Sequence, residues 1–126
     1  MQKQPNGKRL LLCAAMDKTV KYQKIITQYL ESVMPEKAPD DTVEYQLVCD
    51  TERHHYQIQK VGWRGDHYIH QTFLHFDIKN GKIWIQENRT EREVGDELLE
   101  LGIPKSDIVI GLQPPALRPL TGYAMA

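Results

Sequence analysis

The chain has 126 residues, of which 40% are hydrophobic and 26% are charged, a balance that excludes an intrinsically disordered chain and suits one compact domain. Its 16 Lys and Arg residues against 17 Asp and Glu residues give a net charge of -1, which argues against autonomous DNA binding, since duplex affinity comes largely from neutralising phosphates. The two cysteines, Cys13 and Cys49, are too few for a disulfide scaffold and fit a reducing, cytoplasmic compartment.

An apolar run, Leu10 to Met16, lies near the N-terminus. It is at the short end for a signal peptide and is closed by Asp17, so export is the less favoured interpretation. It is also much shorter than the ~20 residues that a membrane-spanning helix requires. We therefore interpret residues 1–15 as an N-terminal extension, which a mis-assigned start would explain, and residues 16–126 as a single domain.

Apolar residues recur at three- and four-residue spacing over Lys18–Met34, which predicts an amphipathic helix. Asp17 or Thr19 is suited to cap its start. Pro35 ends the helix, because proline cannot continue the hydrogen-bond ladder. The polar residues 36–41 are then predicted to form a linker.

The hydrophobic period changes to two after Thr42, which predicts β-strands. A first strand over Val43–Cys49 directs Cys49 toward the core as a buried free thiol. The turn Asp50–Arg53 leads into a second strand, His55–Trp63, whose apolar residues change face midway. This change suggests a bulge, or coverage on both faces.

A third strand is predicted over Tyr68–Ile78. One of its faces carries Ile69, Phe73 and Asp77, and the other carries His70, Thr72, Leu74, Phe76 and Ile78. The Asn80-Gly81 pair that follows tolerates the positive φ angles of a tight primed turn. Lys82–Glu87 is therefore predicted to return as a fourth antiparallel strand.

A second helix is predicted over Thr90–Leu101, with Thr90 as N-cap, Glu93 as its capping-box partner and Gly102 as C-cap. Ile108–Ile110 is predicted to be a short strand ahead of a proline-rich tail. The predicted fold class is α+β: an N-terminal helix, a four-stranded antiparallel meander, a second helix and a short C-terminal strand.

The histidines are the first residues to consider for chemistry. Five of them lie in the strand region: His54, His55, His67, His70 and His75. Their spacing is not that of a standard metal site. His75 and Asp77 share one face of a strand, where a structural contact is favoured and a catalytic or metal role is the alternative. Asp50 and Arg53 are further candidates, although turn chemistry also explains Asp50, and Arg53 is predicted to pair with Asp50 or Asp77.

Other catalytic motifs do not occur in the sequence. Trp63 and Trp84 lack the basic-aromatic motif of RNA-binding sheets, so packing in a core or an interface is favoured for both. The glycines form no phosphate-binding Gly-x-x-x-x-Gly-Lys-Ser/Thr loop, and there is no Gly-x-Ser-x-Gly elbow. From the residues alone we therefore predict no cofactor, no metal and no enzymatic activity.

Several multi-residue strings occur in one order along the chain. They are Asp50-Thr51-Glu52-Arg53-His54-His55-Tyr56, Val61-Gly62-Trp63, His75-x-Asp77-Ile78-x-x-Gly81-Lys82-Ile83-Trp84-Ile85-Gln86, Thr90-Glu91, Gly102-Ile103-Pro104-Lys105-x-Asp107-Ile108-Val109-Ile110-Gly111, and the tail Pro115-x-x-Arg118-x-x-Thr121-x-x-Ala124. In this order they resemble the XisI family, from about Met16 to Ala126.

The resemblance implies an α+β domain and a role as a controlling factor in the developmentally regulated excision of the fdxN DNA element in heterocyst-forming cyanobacteria. It also implies action beside a site-specific recombinase and a companion protein, XisH. We therefore expect a cytoplasmic, non-enzymatic accessory subunit that binds an XisH-like partner, contacts DNA indirectly or weakly, does not bind membranes and self-associates.

Two other functions stay open at this point. One is a nucleic-acid-processing or hydrolytic enzyme that uses His75 and Asp77, with Asp50 or Arg53 across the hairpin. The other is a weak DNA-binding directionality factor. An exposed sheet face or edge and the proline-rich tail are the expected contact surfaces, since tails of this kind often dock on a neighbouring chain.

Overall fold

Two helices pack on one face of a five-stranded sheet in the computed structural model, which describes residues 7–36 and 42–126, with side chains in the first range from residue 18 onward. The elements are α1 Gly7–Val33, β1 Val43–Asp50, β2 His55–Arg64, β3 His67–Lys79, β4 Lys82–Asn88, α2 Val94–Glu100 and β5 Ile108–Ile110. The predicted α+β class and the predicted order of elements are confirmed.

The sheet has the order β1-β2-β3-β4-β5, in which each of the first three strands pairs antiparallel with the next. β5 pairs parallel with β4, with Ile83 opposite Ile108, so the sheet is mixed. A parallel neighbour requires a crossover connection, and α2 lies within that connection.

The core lies between the helices and one face of the sheet. From α1 it receives Tyr22, Ile26, Tyr29, Leu30 and Val33, and from α2 Val94 and Leu98. The sheet contributes Tyr56, Ile58, Leu74, Phe76, Ile78, Ile83, Ile85 and Ile108. Because side chains alternate along a strand, the residues between these apolar positions point to the opposite face, which we call the outer face.

A buried polar contact joins α1 to the segment ahead of β5. The hydroxyl of Tyr22 donates to the carboxylate of Asp107, and Lys18 Nζ lies 2.8 Å from Asp107 Oδ2. Burial and the neighbouring carboxylate raise the pKa of Tyr22. Asp107 is thus a buried carboxylate with both a donor and a counter-ion, as a buried charge requires.

The predicted start of α1 near Lys18 is wrong, because the helix already begins at Gly7. Residues 8–17 are mostly Leu, Ala, Met, Lys and Arg, which are strong helix formers, and no proline or glycine interrupts them. Asp17 and Thr19 therefore lie inside the helix rather than at its cap. Residues 1–6 of the predicted extension and most of the predicted linker, residues 37–41, lie outside the described residues.

The predicted capping box of α2 is also wrong, because the helix begins at Val94 and Thr90 belongs to the preceding turn. Asn88 Oδ1 accepts from the Thr90 amide at 2.9 Å, and Thr90 Oγ1 accepts from the Arg92 amide at 3.1 Å. These local hydrogen bonds engage the Thr90 and Arg92 amides, so they compete with a helix that would begin at Thr90.

The end of α2 follows the prediction. Gly102 has φ 97° directly after the last helical turn, and its amide donates to the Leu99 carbonyl at 3.0 Å. The Ile103 amide donates to the Leu98 carbonyl at 3.2 Å. This is the Schellman pattern that a glycine favours.

A bulge reverses the predicted faces of the first half of β3. The register between β2 and β3 shifts between Ile58 and Gln59, which leaves Phe73 as an extra residue. An extra residue moves all residues before it to the opposite face. His70 and Thr72 therefore lie on the outer face rather than with Leu74, so the predicted faces before Phe73 are wrong. A bulge is one of the two alternatives predicted for β2, whereas the extra residue lies on β3.

Two further predictions about surfaces are corrected. Cys49 is exposed rather than buried, because it lies on β1, the edge strand of the sheet. The C-terminal tail packs on its own sheet: the Ala124 amide donates to the Ile108 carbonyl at 2.9 Å, beside a bridge to Val109.

Gly62 allows β1 to approach β2. Its φ is 147°, and a Cβ there would lie 2.3 Å from the backbone oxygen of Thr42. We expect Gly62→Ala to lower the free energy of unfolding by about 3 kcal/mol, because the strained backbone and the displaced strand both cost energy. Urea unfolding measures this loss.

Gly65→Ala is the matched control, since Gly65 also has a positive φ, 63°, but has no atom within 4 Å of the added Cβ. It should lose only the roughly 1–2 kcal/mol of backbone strain. Equal losses in the two variants would contradict the close approach at Gly62.

Candidate functional site

Two histidines and one aspartate meet on the outer face of the sheet. His55 Nδ1 and His75 Nε2 each lie 2.7 Å from Asp77 Oδ1. All three groups offer ligand or proton-transfer atoms within 4.8 Å of one another. We call these residues the His–Asp–His cluster.

Strand geometry explains why the cluster forms. Asp77 lies between two core residues of β3, so its side chain points to the outer face, as does that of His75 two residues earlier. His55 is the first residue of β2 and stands opposite Asp77 in the β2–β3 register. The predicted contact between His75 and Asp77 is confirmed.

The sequence analysis missed His55 as a partner of this pair. The turn at residues 65–66 sets the register of β2 against β3, and the bulge at Phe73 shifts that register by one residue, so that His55 stands opposite Asp77. Counting back from this turn could have found the pairing, but only with the bulge placed correctly. Beyond the bulge, from Leu74 to Asp77, the ladder is regular.

A glutamine holds the free oxygen of the aspartate. Gln86 Nε2 donates to Asp77 Oδ2 at 3.2 Å, and Gln86 is an extra residue of β4, because His75 pairs with Glu87 and Phe76 pairs with Ile85. Gly111 makes room for this amide, since a Cβ there would lie 2.4 Å from Gln86 Oε1. A bulge of this kind re-aims a side chain beside a site.

The cluster is open to solvent on one side. The His55 side chain is 50% exposed, against 23% for His75 and 15% for Asp77. Trp84 stands opposite Asp77 in the β3–β4 register, with Lys79 Nζ 4.2 Å and Arg118 Cζ 5.1 Å from the centre of its ring. An ion or small molecule can therefore reach the imidazoles from the His55 side.

The Asp77 carboxylate is ionised at neutral pH. Burial raises the pKa of Asp77, but its hydrogen bonds with His55 and His75 outweigh burial and bring the pKa below its ordinary value of 3.8. The Gln86 amide acts in the same direction. The cluster therefore presents a carboxylate between two imidazoles, which suits binding of a cation or proton transfer.

Asp50 and Arg53 do not join the cluster but stabilise their own turn. Asp50 Oδ1 accepts from the amides of Glu52 at 3.0 Å and Arg53 at 2.9 Å, and Arg53 Nη1 lies 3.4 Å from Asp50 Oδ2. The predicted pairing of Arg53 with Asp50 is confirmed. The alternative pairing with Asp77 is wrong, because the two imidazoles and Gln86 surround that carboxylate.

The remaining histidines lie apart from the cluster. His54 has φ 62°, and its Nδ1 lies 3.1 Å from the Tyr56 hydroxyl. His67 and His70 are exposed at the other end of β3, where the His70 ring stacks on Tyr68. Three of the five histidines therefore serve local structure or face solvent.

The β2–β3 hairpin projects beyond its neighbours and carries two aromatic rings. Pairing with β1 stops at Gly62 and pairing with β4 stops at Leu74. Trp63 and Tyr68 lie at the tip, 56% and 55% exposed, with ring centres 4.9 Å apart. The predicted core packing of Trp63 is wrong, whereas an interface position stays a prediction.

Comparison with known proteins places the chain in a family. The sequence model described as XisI protein matches residues 16–125. The chain belongs to the XisI family.

Two solved structures are similar to this XisI-family chain over nearly their whole length. A XisI-like protein from Anabaena variabilis is 43% identical, with 89% of this chain and 99% of that chain covered and a TM-score of 0.73. The fdxN element excision controlling factor XisI from Anabaena variabilis is 35% identical, with 86% and 99% covered and a TM-score of 0.71. No curated protein matches the chain.

Across residues 7–36 and 42–126, no helix of this XisI-family chain combines the length and the apolar character that crossing a bilayer requires.

The turn role of Asp50 predicts a pH dependence. The hydrogen bond with the Arg53 amide is the largest of the contacts that bring the pKa of Asp50 below its ordinary value of 3.8. The contribution of the ionised Asp50 carboxylate to the stability of the protein is present above pH 3.8. It is lost as the pH falls through the lower pKa of Asp50 in the folded state. We expect Asp50→Asn to have a lower melting temperature than the wild type at pH 7, and the difference to shrink below pH 3.8.

Thermal unfolding followed by circular dichroism between neutral and acidic pH measures this difference. Asp50→Ala is the comparison variant, because it also loses both backbone hydrogen bonds and should melt below Asp50→Asn at every pH. A melting temperature that does not change in either variant would contradict the turn role.

Proposed function

We propose that this protein is a controlling factor for excision of the fdxN DNA element, or of an element of the same kind, and that it acts as a non-catalytic accessory subunit in the cytoplasm. The observation that carries the proposal is its 35% identity, over 99% of that chain, to a protein identified as the fdxN element excision controlling factor XisI. The match to the family extends from residue 16 to residue 125.

Charge supports an accessory role rather than a DNA-binding one. With 16 basic and 17 acidic residues, the chain has no excess of positive charge to attract a polyanion over distance. A controlling factor of this composition exerts its effect through a protein. We propose that the partner is an XisH-like protein in a complex with a site-specific recombinase.

The hairpin tip is the surface that best suits such a partner. Trp63 and Tyr68 are large, exposed aromatic side chains on a projecting hairpin, and tryptophan and tyrosine are the residues that most often dominate interface energies. The tail, in contrast, already packs on its own sheet through Ala124. We therefore assign the partner contact to the hairpin tip, and propose that the chain also self-associates.

An excision assay tests the function. A reporter plasmid carries the two ends of the element, and a heterologous bacterial host supplies the recombinase and the XisH-like protein with or without this chain. We expect excision only when this chain is present. Equal excision in its absence would overturn the proposed role.

A binding assay tests the partner contact. We expect the XisH-like protein to co-purify with the wild-type chain at about 10 µM, and Trp63→Ala to weaken the complex about 30-fold, the size of an ordinary interface hot spot. Val20→Ala is the matched control, because Val20 is 49% exposed on α1 and lies near His54 and Gly81, at the opposite end of the hairpin from its tip. Light scattering on the same samples measures self-association.

Two outcomes of this assay, and one of a DNA-retention assay, decide the mechanism. Failure of the wild-type chain to form a complex would overturn the partner. A complex that Trp63→Ala leaves unchanged would overturn the hairpin contact alone. Retention of the chain on duplex DNA in low salt, lost as salt rises, would favour direct DNA binding instead.

A further inference from the structure

The outer face of the sheet carries an arrangement that the accessory role does not require. His55 Nδ1, His75 Nε2 and Asp77 Oδ1 converge within 4.8 Å, from two antiparallel strands in which His55 pairs with Asp77. Both nitrogens approach the same carboxylate oxygen at 2.7 Å, while the other oxygen is held by Gln86. A structural contact between one histidine and Asp77 would not need a second imidazole at the same atom.

We propose that His55, His75 and Asp77 form a binding site for a divalent first-row transition metal, with Zn²⁺ as its reference ion. Two imidazoles and one carboxylate are the donor set of catalytic zinc sites and of two-histidine, one-carboxylate iron sites. Ca²⁺ and Mg²⁺ are disfavoured, because they prefer sites built from oxygen ligands. Metal binding here is independent of the partner contact at the hairpin tip.

The geometry requires only a small adjustment to hold the ion. Metal–ligand distances of ~2.0–2.2 Å place neighbouring ligand atoms of a tetrahedron roughly 3.3 Å apart. The nitrogens now lie 2.7 Å from the Asp77 oxygen and within 4.8 Å of each other, so each must move away from that oxygen by less than an ångström and the two must approach each other by at most about 1.5 Å. Side-chain torsions of the half-exposed His55 supply that movement.

The proton balance is also simple. A neutral imidazole that donates to Asp77 carries its proton on the nitrogen that must bind the metal. On binding, that proton passes to the other ring nitrogen, His55 Nε2 or His75 Nδ1, so neutral imidazoles release no net proton. The carboxylate binds in its ionised form.

Neighbouring residues hold the ligands in a fixed orientation, as metal sites require. Gln86 fixes the orientation of the carboxylate through Oδ2, and Gly111 leaves the space that the Gln86 amide occupies. Outer contacts of this kind tune metal affinity. Three protein ligands leave a further coordination position on the solvent side, toward His55, for water or another ligand.

Titration of tag-free protein, stripped by a chelator and dialysed, tests the site. We expect one Co²⁺ per chain, with a visible spectrum typical of four or five ligands and a dissociation constant of about 10 µM or tighter. Zn²⁺ should displace Co²⁺, and Mg²⁺ should not.

Variants show whether this cluster is the site. His55→Ala and His75→Ala should each weaken binding more than about 100-fold, because even loss of an outer partner costs about 10–100-fold. Gln86→Ala should fall within that smaller range. His70→Ala is the matched control, since His70 is an exposed outer-face histidine of the same strand beyond the bulge, and it should bind Co²⁺ as the wild type does.

Two results would overturn the proposal. One is no Co²⁺ binding by the wild-type chain at about 100 µM, a concentration that would detect even a weak site. The other is binding that His55→Ala and His75→Ala leave unchanged while circular dichroism shows them folded. In either case the cluster would be a hydrogen-bonded contact that orders the β2–β3 hairpin.

Discussion

Burial of the apolar stripe of α1 against a single face of the sheet is the constraint on which the structure depends. Ile26 and Leu30 are fully buried there, among strand residues that alternate with outward-pointing ones. Since the helices occupy one side only, the other side of the sheet is free to carry polar groups. The core-facing side chains of these strands therefore stabilise the fold, while the outer-facing side chains carry the polar groups. The His–Asp–His cluster removes no apolar residue from the core.

Much of the fold could be predicted because its turns are marked by residues with special backbone preferences. Asn80 and Gly81 have φ values of 55° and 73°, as the primed turn between β3 and β4 requires, and Gly102 ends α2. The start of α1 could not be placed, since strong helix formers on both sides of Lys18 give no boundary. Of the cluster, His75 and Asp77 could be paired from one strand, whereas His55 depends on cross-strand register, and bulges are not visible in a hydrophobic pattern.

Many of the strings that carry the family resemblance have a structural explanation. Thr121 Oγ1 donates to the Arg118 carbonyl and accepts from the Tyr123 amide, which shapes the tail, and Ala124 joins that tail to β5. The string around Asp50 closes a turn. His75 and Asp77 are different, because neither buries apolar surface nor closes a turn, so their role must be sought on the outer face.

The sequential strand order also bears on the path by which the chain folds. From β1 to β4 every strand pairs with its neighbour in sequence, so these contacts close short loops at low entropic cost. β5 can dock only after α2 has carried the chain across to a parallel position, and Gly111 follows β5 directly. We therefore expect the two histidines and Asp77 to come together early in folding, before β5 and Gly111 dock beside Gln86.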